Sequence, residues 1–234
     1  MAGNVTASGG RRRKGPAEQA ADSGTLADLA YRKLEEQIVT LQLAPGAMVS
    51  EAVLSERLGI GRMPIREALQ RLARERLVVI MPKRGIVVAE INVRSQLRLL
   101  EVRRELERLL ARLAARRATP DQRKAFAGIG AGMVAAGRDD DDATFMRLDR
   151  AFNLLVIEAA RNEYAAGAMA LMHGLSRRFW YIHYKEVADL PLASRLHADM
   201  ARAIAAGGQD EAARTADRLM DYIESFTRAT LADT

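Results

Sequence analysis

The chain of 234 residues has no cysteine, only three histidines and one tryptophan, and no run of 18 apolar residues. The lack of cysteine excludes disulfides and thiolate chemistry and fits a reducing cytoplasm. The lack of a long apolar run excludes a membrane-spanning helix, and no apolar stretch follows the basic N-terminal segment as in a secretory signal. We therefore expect a cytoplasmic protein with no membrane partner.

Basic residues exceed acidic ones, 36 against 30, and the excess leans towards the N-terminal part. Residues 1–91 hold 14 Lys and Arg against 10 Asp and Glu. This balance permits an anionic partner such as DNA, although solubility alone explains it equally well.

Three segments differ in composition and periodicity. Residues 1–23 are rich in Gly, Ala, Ser and Arg without apolar periodicity, which predicts a disordered basic tail. Residues 24–91 combine short helical patterns with two β-branched runs, and residues 92–230 show helical patterns only. The predicted fold is mostly α, with an N-terminal winged helix-turn-helix and a C-terminal all-helical bundle.

The N-terminal unit has clear helix boundaries in its sequence. Thr25 opens a capping box with Asp28, and the apolar spacing that follows runs to Leu41, before a stop at Pro45-Gly46. A second short helix is predicted from Ser50 to Gly59, and a third from Met63-Pro64.

The third helix and the strands after it have the pattern of a sequence-specific DNA-binding motif. Residues 78–80 and 86–88 predict two strands around a turn with the basic tip Lys83-Arg84 and Gly85, which permits close backbone approach. Arginine and glutamine suit bidentate pairing with guanine and adenine edges in the major groove. The predicted DNA-contacting residues are Gly61, Arg62, Met63, Pro64, Arg66, Gln70, Lys83, Arg84 and Gly85.

Residues 45–90 resemble the DNA-binding domain of GntR-family regulators. The segment LGIGRMPIREAL, residues 58–69, is similar to that family's LGVSRTPVREAL signature. The resemblance implies that Arg62 and Arg66 are the main DNA contacts. Gly61 and Met63 replace the usual serine and threonine, so two hydroxyls that bond phosphate or base are missing and the operator sequence or affinity should differ.

The C-terminal part reads as five or six helices. The expected boundaries are Asn92, Pro120, the acidic run 139–142, Asn162, Pro191 and Gly207-Gly208. We expect the last carboxylates of the acidic run to cap the helix that follows. The aromatic stretch 176–184, which contains the one tryptophan, favours core or dimer packing over ligand stacking.

Several polar residues fall on apolar stripes of these helices. Asp149 and Asn153 share a face with phenylalanines, His197 lies beside Met200, and Arg103 lies among leucines. A buried carboxylate is costly unless it is paired or bound to a cation. If these groups converge, the pocket suits a metal, a carboxylate ligand or both. The alternatives are a structural Arg103–Asp149 ion pair and a histidine that belongs to the core.

Residues 94–228 resemble the all-helical FCD effector domain of the FadR-type branch of GntR regulators. Residues 101–107 are similar to its E-x-R-x-x-L-E pattern, and residues 149–153 to its D-x-x-F-H metal motif. The resemblance implies a divalent metal held by one aspartate and three histidines, and a small carboxylate effector. Here Asn153 replaces the first histidine, and no histidine stands between residues 219 and 222.

The implied metal ligands are therefore Asp149 and His197, with Asn153 as a third, and an organic effector without metal is the other interpretation. The predicted effector-binding residues are Arg103, Asp149, Asn153, His197 and Tyr222.

The function predicted from these features is sequence-specific regulation of transcription by a homodimeric repressor. It binds double-stranded DNA at a short palindromic operator, and a small organic acid controls its affinity. Two alternatives stay open: an effector-independent or nonspecific DNA-binding protein, and an all-helical metal-dependent enzyme. The chain lacks a phosphate-binding glycine loop, a nucleophile elbow and an HExxH pair, so we do not expect an enzyme.

Overall fold

The structure, a computed structural model, describes residues 24–230 except for the side chains of residues 186 and 187. The predicted disordered tail, residues 1–23, lies outside the described residues. Within the described part, no helix is long and apolar enough to cross a membrane. The elements there are α1 (Leu26–Val39), β1 (Met48–Val49), α2 (Glu51–Leu58), α3 (Arg62–Arg74), β2 (Val78–Met81), β3 (Gly85–Val88), α4 (Val93–Arg117), α5 (Pro120–Arg138), α6 (Asp142–Ala160), α7 (Glu163–Val187), α8 (Leu190–Ala206) and α9 (Gln209–Ala229).

The N-terminal unit is a winged helix-turn-helix, as predicted. Thr25 and Asp28 form the capping box of α1, and Ser50 accepts the backbone N–H of Val53 at the start of α2. Gly59 ends α2 in the left-handed conformation, with φ 64°. The three helices and the sheet bury one shared apolar core.

Two local predictions were wrong. α1 ends at Val39, not near Pro45, because Leu41 adopts a left-handed φ of 60° and the N–H of Leu43 bonds back to the carbonyl of Gln37. The sheet has a third strand, β1, and its order is β1-β3-β2 with antiparallel pairing throughout. A two-residue strand is too short to show a period of its own.

The C-terminal bundle begins and ends its helices where the sequence predicts. Side chains of Asn92, Thr119, Asp141, Asn162 and Asp189 accept a backbone N–H in the first turn of α4 to α8. The capping role predicted for the acidic run is thus confirmed at Asp141. α5 packs along α8, and α9 packs along α4, around a core of alanine, phenylalanine and methionine.

The two units meet where α1 packs on α7. Arg177 on α7 bonds Glu35 at 2.8 Å and Glu36 at 3.3 Å, and Arg150 on α6 pairs with the same two carboxylates at 3.4 and 3.3 Å. Arg178 donates to the backbone carbonyl of Ala89 at 2.7 Å, just after β3. The DNA-binding unit is therefore tied to the helix that also lines the cavity described below.

Candidate nucleic-acid interface and ligand cavity

The exposed face of α3 presents the polar residues that the sequence singles out. Ile65, Leu69 and Leu72 are buried on its inner face. Its exposed side chains include Arg62, Met63, Arg66 and Gln70, together with Glu67 and Arg74. Helical periodicity alone produces this division, because every third or fourth residue must enter the core.

Arg66 has a partner that the sequence analysis missed. Its Nε and Nη2 donate to the two carboxylate oxygens of Glu51 on α2, at 2.9 and 2.8 Å. The bond to Arg66 lowers the pKa of Glu51, so the pair is charged at neutral pH. A bidentate pair holds the guanidinium in one plane, which orients it, but a base contact must share or displace Glu51.

The start of α3 offers backbone donors. Gly61 is the N-cap and provides no side-chain bond to the first turn, and Pro64 lies within that turn with its ring half-buried. N–H groups in the first turn of a helix have no partner within the helix and favour a phosphate. A serine at Gly61 would cap them, so its absence leaves these donors to solvent or DNA.

The wing tip carries two exposed basic side chains, Lys83 and Arg84. Gly85, a predicted DNA contact, also has a role within the fold. Its φ is 109°, and a Cβ there would lie 3.3 Å from the carbonyl oxygen of Val49 on β1. Glycine is therefore needed for the wing to pack on β1.

A cavity of about 50 Å³ lies inside the helical bundle. All five predicted effector-binding residues line it, contributed by α4, α6, α8 and α9, and α7 completes its wall. The space is several times what one water molecule requires. The lining residues important to the argument are Arg103, Asp149, Asn153, His173, Ser176, Arg177, Trp180, His197 and Tyr222.

Asp149 and His197 form a pair in this cavity. The Nδ1 of His197 lies 2.8 Å from the carbonyl of Ala193 and donates to it, which leaves Nε2 facing Asp149 Oδ1 at 3.2 Å. The amide of Asn153 also donates to that oxygen, at 3.0 Å. Burial acts to raise the pKa of Asp149, but His197 and the nearby arginines outweigh it, so this pKa is lowered and the carboxylate stays ionised.

The ion pair between Arg103 and Asp149, which was the alternative to a pocket, does not form. Arg103 instead donates twice to Glu107, one turn along α4, at 3.0 and 2.9 Å. The two residues are i and i+4 on one helix, so this pairing forms locally before any tertiary contact is needed. Tyr222 bonds the backbone N–H and carbonyl of Asp189, which ties α9 to the start of α8.

His173 on α7 also lines the cavity. Burial, together with the charge of Arg103, lowers its pKa to about 4, so the ring is neutral at neutral pH. Its signal in the sequence was weak, because a histidine between Met172 and Gly174 has no distinctive pattern around it.

The donor set does not fit a transition metal. Within residues 24–230, no three His, Asp or Glu side chains lie close enough to hold one ion. Asp149 and His197 are two ligands, and Asn153 turns its amide nitrogen to Asp149 rather than its oxygen to a shared centre. Protein sites for transition metals use three or four strong ligands.

Three further cavity residues on α7 carry buried polar atoms with no hydrogen-bond partner in the described part of the chain. They are the hydroxyl of Ser176, Nε of Arg177 and Nε1 of Trp180. All three belong to the aromatic stretch that sequence reasoning favoured for packing. The packing does occur, since Trp180 contacts Phe226 with ring centroids 4.7 Å apart. Only the tertiary structure shows that these three residues line a cavity.

Comparison with known proteins gives consistent matches across both units. Residues 26–88 match the family described as bacterial regulatory proteins, gntR family, and residues 98–222 match the FCD domain. The chain is 28% identical over 199 residues to the HTH-type transcriptional repressor RspR of Escherichia coli (strain K12), covering 85% of this chain and 87% of that protein.

A second relative is the Nta operon transcriptional regulator of Aminobacter aminovorans, which is 24% identical over 180 residues, or 75% of this chain and 81% of that protein. Among solved structures, E. coli McbR/YncC has the same fold, with a TM-score of 0.74 at 20% identity over 89% of this chain and 99% of that one.

Proposed function

This chain belongs to the GntR family of bacterial regulatory proteins and carries an FCD domain, and we propose that it is a homodimeric repressor released from its operator by a small organic acid. Membership makes it a DNA-binding regulator of transcription under small-molecule control, rather than an enzyme. Such a protein works beside the chromosome, in the cytoplasm.

The observation that carries the DNA-binding part is the outer face of α3. It places Arg62, Arg66 and Gln70 in solvent on one side of a helix whose other side is buried. These side chains match guanine and adenine edges, while Lys83 and Arg84 on the wing match the phosphate backbone. The combination supports sequence-specific binding over purely electrostatic binding.

The proposed dimer is supported by exposed apolar side chains in a groove between α4 and α7. Val102 is 56% exposed and Leu171 48% exposed, and both line this groove together with Leu99 and Ala168. Exposed apolar patches of this kind mark interfaces. A second copy of this chain, packed about a twofold axis, would cover both grooves and present two α3 helices to successive major grooves, which requires a palindromic operator.

The cavity supports control by an organic acid. Two arginines, Arg103 and Arg177, line it beside Asp149, and guanidinium groups are suited to donate hydrogen bonds to a carboxylate. The cavity wall and the α1 contact share α7, which gives a ligand a direct path to the DNA-binding unit. The relative named as a repressor, RspR, supports repression as the sense of control.

The test is selection of bound fragments from genomic DNA by the full chain, followed by gel shifts of the enriched sequence. We expect one palindromic sequence to bind at least about a thousandfold more tightly than random DNA, within the range of specific recognition. Addition of organic acids should then release it. Equal affinity for all fragments would support the nonspecific binder and overturn the proposal.

A further inference from the structure

The cavity contains more hydrogen-bond donors than the protein uses. Ser176 Oγ, Arg177 Nε and Trp180 Nε1 are buried and find no acceptor among the residues described, and the three residues that carry them line the cavity. Buried polar groups are almost always paired, so three unpaired donors in one wall indicate an absent acceptor. Ser176 and Trp180 are four residues apart on α7, and Arg177 and Trp180 are three apart, so each of the first two side chains neighbours Trp180.

The acceptor that suits this wall is a carboxylate. A carboxylate accepts several hydrogen bonds with its two oxygens, and a hydrogen bond from Arg177 to it is charge-assisted. The cavity volume of about 50 Å³ limits the ligand to an acid of a few carbon atoms. On the opposite side, the Asp149–His197 pair is positioned to bond a hydroxyl or a second polar group of such a ligand.

We infer that Ser176, Arg177 and Trp180 form a seat that binds the carboxylate of a small organic acid directly, without a metal ion. This inference rests on the proposed function and names the ligand contacts of the same cavity. It also accounts for the incomplete metal site, because a cationic side chain supplies the positive charge that a metal would otherwise provide.

Arg177 also links this seat to the DNA-binding unit. Its two terminal nitrogens bond Glu35 and Glu36 on α1, at 2.8 and 3.3 Å, so only Nε is left for the cavity. A carboxylate at Nε competes with Glu35 and Glu36 for one guanidinium charge. Ligand binding therefore loosens the attachment of α1 to α7, which is the sense required for release of DNA.

Arg150 provides a matched control. It pairs with the same Glu35 and Glu36, at 3.4 and 3.3 Å, but does not line the cavity. Arg150→Gln therefore removes one tie to α1 and leaves the seat intact. Arg177→Gln removes a tie and a seat donor, and Ser176→Ala removes a seat donor alone.

The experiment is a fluorescence titration of the full-length protein, after dialysis against a chelator, with acetate, lactate and succinate as probes. Trp180 is the only tryptophan of the chain, so its emission reports the cavity directly. We expect a saturable change with at least one probe. Ser176→Ala should weaken binding about threefold to tenfold and Arg177→Gln tenfold or more, while Arg150→Gln changes it less than twofold.

Thermal unfolding separates this seat from a structural role. Ser176→Ala should leave the melting temperature of the ligand-free protein unchanged or higher, since it removes an unpaired buried hydroxyl. If Arg177→Gln fails to fold, the fluorescence titration of Ser176→Ala alone tests the seat. The inference is overturned if no probe gives a saturable change, if Ser176→Ala binds as the wild type does, or if binding needs added zinc.

Failure of the proposed function has a different signature. A chain that lacks an operator fails the gel shift but can still bind a probe in the fluorescence titration. A chain that binds its operator but shows no probe binding retains the DNA-binding function and loses only the seat.

Discussion

Arg66 illustrates how one residue can be both exposed and held in place. Glu51 on the neighbouring helix accepts two hydrogen bonds from its guanidinium and fixes its orientation. The side chain therefore loses little conformational entropy when it binds a base. We expect Arg66→Ala to weaken operator binding by about 1–3 kcal/mol and to affect random DNA much less. Fluorescence anisotropy with operator and random duplexes measures both.

Lys83→Ala is the comparison variant for Arg66→Ala. The lysine is exposed at the wing tip, where we expect it to contact phosphate only. Its loss should therefore weaken binding to operator and random DNA alike and reduce the slope of the salt dependence by about one unit. If Arg66→Ala shows this uniform pattern instead, Arg66 contacts phosphate and does not read a base.

His173 makes stability depend on pH. Its folded pKa of about 4 lies below the value of about 6.5 expected in the unfolded chain, so protonation favours unfolding. The stabilising effect of the neutral ring is complete above pH 6.5 and declines as the pH falls towards 4, by up to about 3 kcal/mol.

Urea unfolding at several pH values between 7.5 and 4.5 tests this. We expect the unfolding free energy of the wild type to fall across that range more steeply than that of His173→Gln, which has no ring to protonate. Parallel curves for the two proteins would show that other groups cause the acid dependence.

At the scale of elements, α5 depends on a small residue where it meets α8. A Cβ added to Gly137 would lie 2.5 Å from Oγ and 2.6 Å from Cβ of Ser194 on α8. A change of the Ser194 rotamer does not move its Cβ, so it cannot relieve this clash. We expect Gly137→Ala to destabilise the protein by about 1–3 kcal/mol, because the two helices must move apart.

Gly128→Ala is the control in the same helix. A Cβ there meets nothing within 4 Å, so the substitution gains helix propensity without a clash and should stabilise the protein by up to about 1 kcal/mol. Thermal melts of both variants measure the effect. Equal shifts would mean that backbone propensity alone decides, and that the α5–α8 contact is loose.

Element boundaries were largely predictable because they depend on neighbouring residues. Capping side chains such as Asn92 and Asp141 bond N–H groups two or three residues away, and these bonds form as the helix forms. The end of α1 was the exception. Leu41 takes a left-handed conformation that its side chain disfavours, so packing against the rest of the unit must impose it.

For the whole molecule, the proposed dimer makes a direct prediction. The double variant Val102→Glu with Leu171→Glu places charge in the exposed groove and should be monomeric in size-exclusion chromatography with light scattering. It should also lose tight binding to a two-half-site operator while keeping its helical circular dichroism.

Leu154→Glu serves as the control for the dimer prediction. Leu154 is 57% exposed, as Val102 is, but lies on α6 outside the groove. We expect it to stay dimeric. A double variant that remains dimeric would place the subunit interface on another face of the molecule.

The amino-acid sequence by itself determined the two units, the helix boundaries and the face of α3 that carries Arg62, Arg66 and Gln70. These features follow from short-range periodicity and capping, which depend only on residues close together in the sequence. The sequence also identified Arg103, Asp149 and His197 as candidate binding residues, because a polar group on an apolar stripe needs a partner.

Only the tertiary structure decided who those partners are. Arg103 pairs with Glu107, and Asp149 pairs with His197. Arg177, in the cavity wall, bonds Glu35, which is more than a hundred residues away in the sequence. Charges of opposite sign are interchangeable along a sequence, and their pairing depends on which helices pack together. Packing also places Ser176 and Trp180 in the lining of a cavity, each with an unpaired donor. No local sequence pattern predicts this arrangement.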